Sequence, residues 1–515
     1  MQSTRRSYYE PFSYESMPLS RRRFLESMGA GALSASLVGL GAAGESPRAE
    51  QPNVLLLTAD DMNGDSVGAF GCPVSTITPN IDRLAAEGMR FEHAHTNASI
   101  CAPSRTSMLT GREPHNHGVM ADGPFTGKVP ALGEMLRTEA GYLTGVHGKY
   151  IHLDLQEAFG WDIVESEGGR HPARFHHRAA TFFERAQAHD QPFFWVANVS
   201  DPHRPLAGRD SAGPDGQPAS VRRVLGPDEV PLPGFLPDLP RVRKDVAAYF
   251  TSVYRADECV GAVLSALEEA GLHDSTLVIF LSDHGMPFPF AKHECYHHST
   301  KTPLVVRWPG RVEAGAVERR HMVSEMDLTP TVLEATGLAP PPSLEGRSLM
   351  PLLRGQSQEG REAVYSGYYF HRTSHPYPVR SVQTRRFRYI VTFWAFTDKS
   401  LRPYISKPMT YRAMEEAAEH DEAVAERFRF YLRRTPEELY DIQQDPDCRH
   451  NLINDPDHAR RAERMRRMLR QHLEETNDPA LEPFEARTPE AAARYLAERQ
   501  KVGEALRAKK KRHGG

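Results

Sequence analysis

The sequence predicts an α/β protein: a large, mostly parallel sheet sandwiched by helices, followed by a smaller unit. Three observations predict this. The runs Asn53–Ala59, Pro192–Val199 and Thr276–Ser282 are continuously apolar, without the alternation of a half-exposed strand, and read as strands buried on both faces. Helical segments alternate with strands along the chain, the order that yields a parallel sheet covered on both sides. From about residue 360 the texture changes to short aromatic strands, Tyr365–Phe370 and Arg386–Phe393.

The chain has 515 residues, enough for one large domain and a smaller one. A net charge of −4 is nearly neutral at this size and argues against a general nucleic-acid binder. After residue 50 no apolar run reaches the roughly 18 uncharged residues of a membrane span, so the mature chain is not expected to cross a membrane. Residues 1–50 read as a leader. Ser20-Arg21-Arg22-Arg23-Phe24-Leu25 resembles the twin-arginine export motif, a mildly apolar run follows from Met28 to Gly44, and cleavage fits near Ala42-Ala43-Gly44. The expected location is therefore periplasmic or extracellular. Five scattered cysteines, Cys72, Cys101, Cys259, Cys295 and Cys448, do not suggest a disulfide-held fold.

Taken in order, the first strand ends in Asp60-Asp61. Open α/β sheets bind ligands outside the carboxyl ends of their strands, and adjacent carboxylates there repel unless a cation sits between them. Thr78–Gly88 is an amphipathic helix ending at glycine, and Met89–His95 a strand leading to the next helix. That helix is Cys101-Ala102-Pro103-Ser104-Arg105-Thr106-Ser107-Met108-Leu109-Thr110-Gly111-Arg112. Pro103 fits its first position and Gly111 its C-terminal cap. Cys101 then lies just before the helix, at the positive end of the dipole, where thiolates and anions are favoured.

His115-Asn116-His117-Gly118 could supply metal ligands or a loop beside a substrate. Ala140–Lys149 is a strand ending in Gly-Lys, and the strand 192–199 leads into Ser200-Asp201-Pro202-His203-Arg204-Pro205. His203 thus joins the other polar residues at strand ends. Residues 207–240, rich in Pro, Gly and Asp, are expected to wall the pocket as a loop, and a helix follows over 241–271. Thr276–Ser282 followed by Asp283-His284 repeats the layout of the first strand. Lys292 and Lys301 precede the strand Leu304–Gly310, Ser324–Leu333 is a helix, and Pro340-Pro341-Pro342 marks the change of texture. A helix is expected over 456–475 and a helical tail from 489, whose basic end, Lys509–Arg512, is assigned no function. The expected division is 1–50 leader, 51–355 catalytic domain, 356–480 C-terminal subdomain and 481–515 basic helical tail.

Cys-x-Pro-Ser-Arg with a Leu-Thr-Gly-Arg ending resembles the signature of the type I sulfatases, which have the alkaline-phosphatase-like fold. The likeness extends over roughly residues 52–478. It implies an antiparallel sheet and helix in the C-terminal subdomain. It implies that Cys101 is oxidised to Cα-formylglycine by a formylglycine-generating enzyme, and that one hydroxyl of the hydrated aldehyde attacks sulfur while the other then expels sulfate. It makes Asp60, Asp61, Cys101, Asp283 and His284 ligands of a divalent metal, Ca²⁺ or Mg²⁺, the three aspartates favouring Ca²⁺. Arg105, Lys149 and Lys292 would counter the sulfate charge, His203 would protonate the leaving group, and His152, Lys301 and His117 would bind substrate. The family's histidine near Lys149 often stands two residues on; here His152 stands three on.

Asp201-Pro202-His203-Arg204, Gly285-Met286-Pro287-Phe288-Pro289 and Val379-Arg380-Ser381-Val382-Gln383 resemble the sulfamidase (heparan N-sulfatase) branch, although that branch has Asn at the position of His284. The implied substrates are sulfated glycosaminoglycan sugars, with N- or O-sulfate cleaved. Two other readings remain: a phosphonate monoester or phosphodiester hydrolase of the same superfamily, and a non-catalytic protein that binds sulfated glycans.

Overall fold

The computed structural model describes residues 51–513 except 124, 126, 128, 150–155, 167–168, 208–220, 372–374 and 402–407. Residues 1–50, where a leader is expected, His152 and part of the loop after residue 207 lie outside the described residues. In chain order the strands are β1 (Asn53–Asp60), β2 (Met89–Phe91), β3 (Ala94–His95), β4 (Leu143–Gly148), β5 (Ile163–Glu165), β6 (Phe193–Pro202), β7 (Thr276–Ser282), β8 (Leu304–Arg307), β9 (Ala316–Glu318), β10 (Val323–Ser324), β11 (Ala363–His371), β12 (His375–Thr384), β13 (Phe387–Thr392) and β14 (Glu437–Asp441).

Eight of them form one sheet in the order β5-β4-β6-β1-β7-β8-β2-β9. The block from β5 to β7 is parallel, with Leu56 opposite Val196 on one side and Ile279 on the other. β8 runs antiparallel to both its neighbours. The sheet is thus mostly parallel, as expected, with its exception beside β7.

Alternation along β1 feeds two cores, because successive side chains leave opposite faces of a strand. Leu55, Leu57 and Ala59 pack with the helices Pro79–Glu87, Pro172–Ala188 and Pro240–Glu269. Val54 and Leu56 pack with the helices Cys101–Thr110, Leu132–Ala140 and Leu328–Ala335 on the other face. Burial on both faces explains the continuous apolar runs.

β3 and β10 pair with each other, and the second large sheet, β11-β12-β13-β14, is antiparallel throughout. Val382, Phe387, Tyr389 and Val391 meet Ala462, Met465, Leu469 and Leu473, a single stripe of the helix Ala459–Glu475. Both sheets belong to one compact unit, Gln51–Gly515. The final helix, Pro489–His513, follows the expected pattern.

The segment 221–239 departs from expectation. It does not line the cavity beside the strand ends; Leu225, Val230, Phe235 and Leu236 turn into the first core instead. Four large apolar side chains gain more from burial there than from walling a polar pocket. All five cysteines are free thiols. No helix among the described residues is long and apolar enough to cross a membrane.

Candidate active site

The Cys101–Thr110 helix is buried over its whole length. Gly111 caps it at φ 63°, as the sequence predicts, and its N–H reaches Ser107 O at 2.8 Å. Its start differs from expectation. Ile100 is the N-cap and Cys101 the first helical residue, so Pro103 takes the third position, which also needs no backbone donor. Cys101 therefore stands within the first turn, at the positive end of the dipole.

Asp60 ends β1, and Asp61 follows in the left-handed region at φ 68°. Consecutive side chains of an extended strand diverge; the left-handed turn brings both carboxylates to one point. The Asp61 N–H donates to Asp283 Oδ1 at 3.0 Å and holds the turn. Beside them, His284 Nδ1–H donates to Gly285 O at 2.9 Å, which turns Nε2 toward Cys101 Sγ at 3.3 Å and Asp61 Oδ1 at 3.1 Å. Gly285 fits only as glycine, since a Cβ would meet His298 O.

Two ammonium groups close the cluster. Lys149 Nζ pairs with Asp60 Oδ2 and lies 3.6 Å from Cys101 Sγ. Lys292 Nζ donates to both Asp61 oxygens, at 2.7 and 2.8 Å, and lies 3.7 Å from the same sulfur. Burial by itself would raise the Asp60 carboxyl; Lys149, His203, Arg105 and Lys292 together hold it well below the usual carboxylate range. For Asp61 burial prevails over Lys292 and His284, and its carboxyl is raised. Burial, then the Asp60 charge, pushes the Cys101 thiol far up. As an unmodified thiol it is protonated and a poor nucleophile.

Asp60, Asp61, Cys101 and His284 offer ligand atoms that all lie within 4.8 Å of one another. Asp60 Oδ2 is buried, and the cationic groups of Lys149 and Arg105 pair with it. Two buried carboxylates with an outward imidazole nitrogen fit a divalent cation. Asp283 stands at the edge of this set, its Oδ1 3.9 Å from His284 Nε2. Its other oxygen accepts from Arg105 Nε at 3.0 Å.

The expected site residues divide. Lys292, Asp61 and His203 line a cavity of about 250 Å³ above the cluster. His203 Nδ1 is held by Arg204 O at 2.5 Å. Burial, then Lys149 and Lys292, keeps its imidazole well below its ordinary pKa, so the ring is neutral at rest.

Arg105 lies beneath the cluster rather than in the cavity. It is fully buried and reaches Asp283, Thr58 Oγ1 at 2.8 Å and Asn198 Oδ1 at 2.7 Å, tying the helix to β1 and β6. Lys301 is not part of the cluster; it pairs with Asp65 at 2.6 Å. Nor does His117 reach the cavity: Ser107 Oγ lies 3.0 Å from its Nε2, and Val119 N donates to its Nδ1. His117 is a satisfied interior histidine that braces the Cys101 helix, its pKa pushed by burial to about 3.

Sequence reasoning missed the far wall of the cavity: His371, Leu401, Tyr411 and Tyr431, all from beyond residue 356. Nothing in their local sequence distinguishes them from core residues; His371 comes from the end of β11, and Tyr411 and Tyr431 from the helices Met409–Ala417 and Glu422–Leu432. Arg204 also lines the cavity, held bidentately by Asp245 at 3.0 and 2.7 Å and lying over the Phe288 ring.

Comparison with known proteins agrees with this geometry. Residues 52–338 match the Sulfatase family model, and residues 283–426 match that of N-sulphoglucosamine sulphohydrolase, C-terminal. Human N-sulphoglucosamine sulphohydrolase is 32% identical over 470 residues, covering 84% of this chain and 92% of its own. A solved structure in complex with its substrate D-glucosamine-2-N,6-O-disulfate superposes with a TM-score of 0.63 at 18% identity, over 83% of this chain and 99% of that one. A 2-O glycosaminoglycan sulfatase superposes with a TM-score of 0.61 at 23% identity, over 83% and 93%. At these identities the two structures establish the fold.

Proposed function

The chain belongs to the sulfatase family and is a sulfuric ester hydrolase, and from that premise we propose that its substrate is a glucosamine-type glycosaminoglycan sugar carrying N- or O-linked sulfate. The observation that carries the proposal is the convergence on Cys101 of two ammonium groups, two carboxylates and an imidazole from the ends of β1, β4 and β7 and the loop after β7. The likeness to human N-sulphoglucosamine sulphohydrolase supports the choice of sugar.

A sulfate ester is an anion attacked by an oxygen nucleophile, so its site must supply positive charge. We assign that task to Lys149 and Lys292, whose ammonium groups flank Cys101. Converted to formylglycine and hydrated, Cys101 would provide the attacking oxygen and a second hydroxyl to release sulfate. Asp60, Asp61 and His284, with Asp283 at the edge, would hold Ca²⁺ or Mg²⁺, a Lewis acid for a sulfate oxygen. His203 is assigned the proton for the leaving oxygen or nitrogen; with its Nδ1–H held by Arg204 O, it gives that proton from Nε2 as the imidazolium, formed by taking up a proton once the anionic substrate enters beside Lys149 and Lys292.

The test is Cys101→Ser. A serine can accept the sulfo group but lacks the second hydroxyl that expels it. Incubated with an aryl sulfate or glucosamine N-sulfate, this variant should give a stoichiometric burst of leaving group without free sulfate. Sustained sulfate release at the wild-type rate would overturn the assignment. In the active wild type, the Cys101 peptide should be lighter than the cysteine form by about 18 Da. Matched aryl sulfate and phosphonate esters would separate the proposed activity from phosphonate monoester hydrolysis.

A further inference from the structure

Apart from the catalytic cavity, an open groove of about 610 Å³ lies among the helix Ala459–Glu475, the turn joining β12 to β13, and the segment before β11. None of its lining residues lines the catalytic cavity. Arginines dominate it. Arg461 and Arg464 stand one turn apart on the helix, Arg385 and Arg386 form the turn, and Arg320 joins them from the segment after β9. All five are exposed.

The charge is largely uncompensated. Arg386 pairs with Asp441 at 2.7 Å. Among the described residues Arg320, Arg385, Arg461 and Arg464 have no carboxylate partner; Glu463, on the same helix, pairs with Arg466 and Arg467 instead. Glu359 and Glu362 are the only carboxylates lining the groove among the described residues, against four unpaired guanidinium groups. In a chain whose net charge is −4, this is a local excess of the opposite sign.

We propose that this groove is a second anion-binding site, which holds sulfated sugars of a polysaccharide chain away from the sugar being hydrolysed. Guanidinium forks match the oxygens of sulfate bidentately. The unpaired arginines sit on three separate elements, so a single small anion cannot satisfy them; a chain with repeated anionic groups can. The adjoining groove of about 450 Å³ shares Arg320 but is also lined by Glu313 and Glu318, so the anion track ends at Arg320. A nucleic acid would seek an aromatic face for base stacking. Phe387, the one aromatic residue lining the groove among those described, is buried, with Arg461 and Arg386 over its ring at 4.5 and 5.0 Å from the centroid. Sulfate as the anion rests on the functional reading above; the groove's affinity for a polyanion does not.

The test measures heparin binding to the full-length protein at low ionic strength, comparing wild type with Arg461→Ala/Arg464→Ala. The double variant should bind heparin about five- to tenfold more weakly, with a shallower salt dependence. Its kcat and KM for a small aryl sulfate should match wild type. A parallel variant, Arg320→Ala/Arg385→Ala, should show the same loss from other elements. Unchanged heparin affinity in both variants would overturn the proposal, as would single-stranded DNA displacing heparin at equal charge concentration. Heparin binding that depends on these arginines in a protein that hydrolyses no sulfate ester would uphold the groove and defeat the functional reading.

Discussion

Asp60 and Asp61 show how much chemistry two adjacent residues can state. Both carboxylates are fully buried, and only cations make that arrangement tolerable. Lys149 and Lys292 neutralise them in the structure, and a divalent ion would add to that charge. Exhaustive chelation is therefore expected to abolish turnover, and excess Ca²⁺ or Mg²⁺ to restore it; thermal denaturation should independently show the protein stabilised by the ion. Turnover and melting both unmoved by chelation would reject the metal. Arg105 makes a second prediction. With Arg105→Ala, Asp283 stays buried without its guanidinium, a loss of about 3–5 kcal/mol when one partner of a buried pair is removed. Urea denaturation would measure it, and a loss below about 1 kcal/mol would contradict the role. Cys101, Asp60, Asp61, Lys149 and His203 are legible because each stands at a readable strand end or helix start, whereas Lys292, in the loop after β7, is indicated only by the family resemblance. Arg105 as a brace, and Lys301 and His117 outside the cavity, are not legible: sequence gives a position on an element but not which way the side chain is claimed by distant partners such as Asp283, Asp65 and Ser107.

At the scale of elements, strand ends do the positioning, and close backbone approach fixes it. Gly148 ends β4 at φ 88°, and a Cβ there would lie 2.0 Å from Asn198 O on β6. That carbonyl also accepts from Lys149 N–H at 3.1 Å, while Asn198 Oδ1 accepts from Arg105. Gly148→Ala must therefore push β4 from β6 where both Lys149 and Arg105 are set. Left-handed strain alone costs about 1–3 kcal/mol. A displacement of Lys149 by about 1 Å should lower kcat by up to about 100-fold. Wild-type kcat in this variant, measured with an aryl sulfate, would show that Lys149 is positioned by something else. The parallel block was readable for a simple reason: strands covered on both faces must be apolar throughout. The sequence predicts a strand over Leu304–Gly310, of which β8 keeps Leu304–Arg307, but its direction depends on the path from Ser282 to Leu304, where the chain returns without the long helical crossover a parallel neighbour requires.

At the scale of the molecule, the second sheet is part of the site. The cavity takes Asp61 and Lys292 from one side and His371, Tyr411 and Tyr431 from the C-terminal part. Pairing between segments so far apart in sequence leaves no local signal. One buried contact fastens the C-terminal sheet to its surroundings: Arg380 on β12 donates to Asp478 at 2.6 and 3.1 Å, with both side chains buried. Asp478 also accepts from Ala480 N and lies 3.7 Å from His115 Nδ1. Burial opposes ionisation, but Arg380 and His115 outweigh it and bring the Asp478 carboxyl from 3.8 down to about 2. A depressed carboxyl stabilises the folded state above its unfolded pKa and loses that contribution as pH falls through the folded one. The shift corresponds to about 2 kcal/mol. Asp478→Asn keeps the shape and removes the charge, leaving Arg380 unpaired. Compared by urea denaturation, wild type should exceed this variant by its full margin near pH 5, and the two should converge by about 2 kcal/mol as pH falls from 3.8 toward 2. A margin that does not change across that window would mean that the ion pair contributes shape and hydrogen bonds between β12 and the turn after the helix Ala459–Glu475, and no charge.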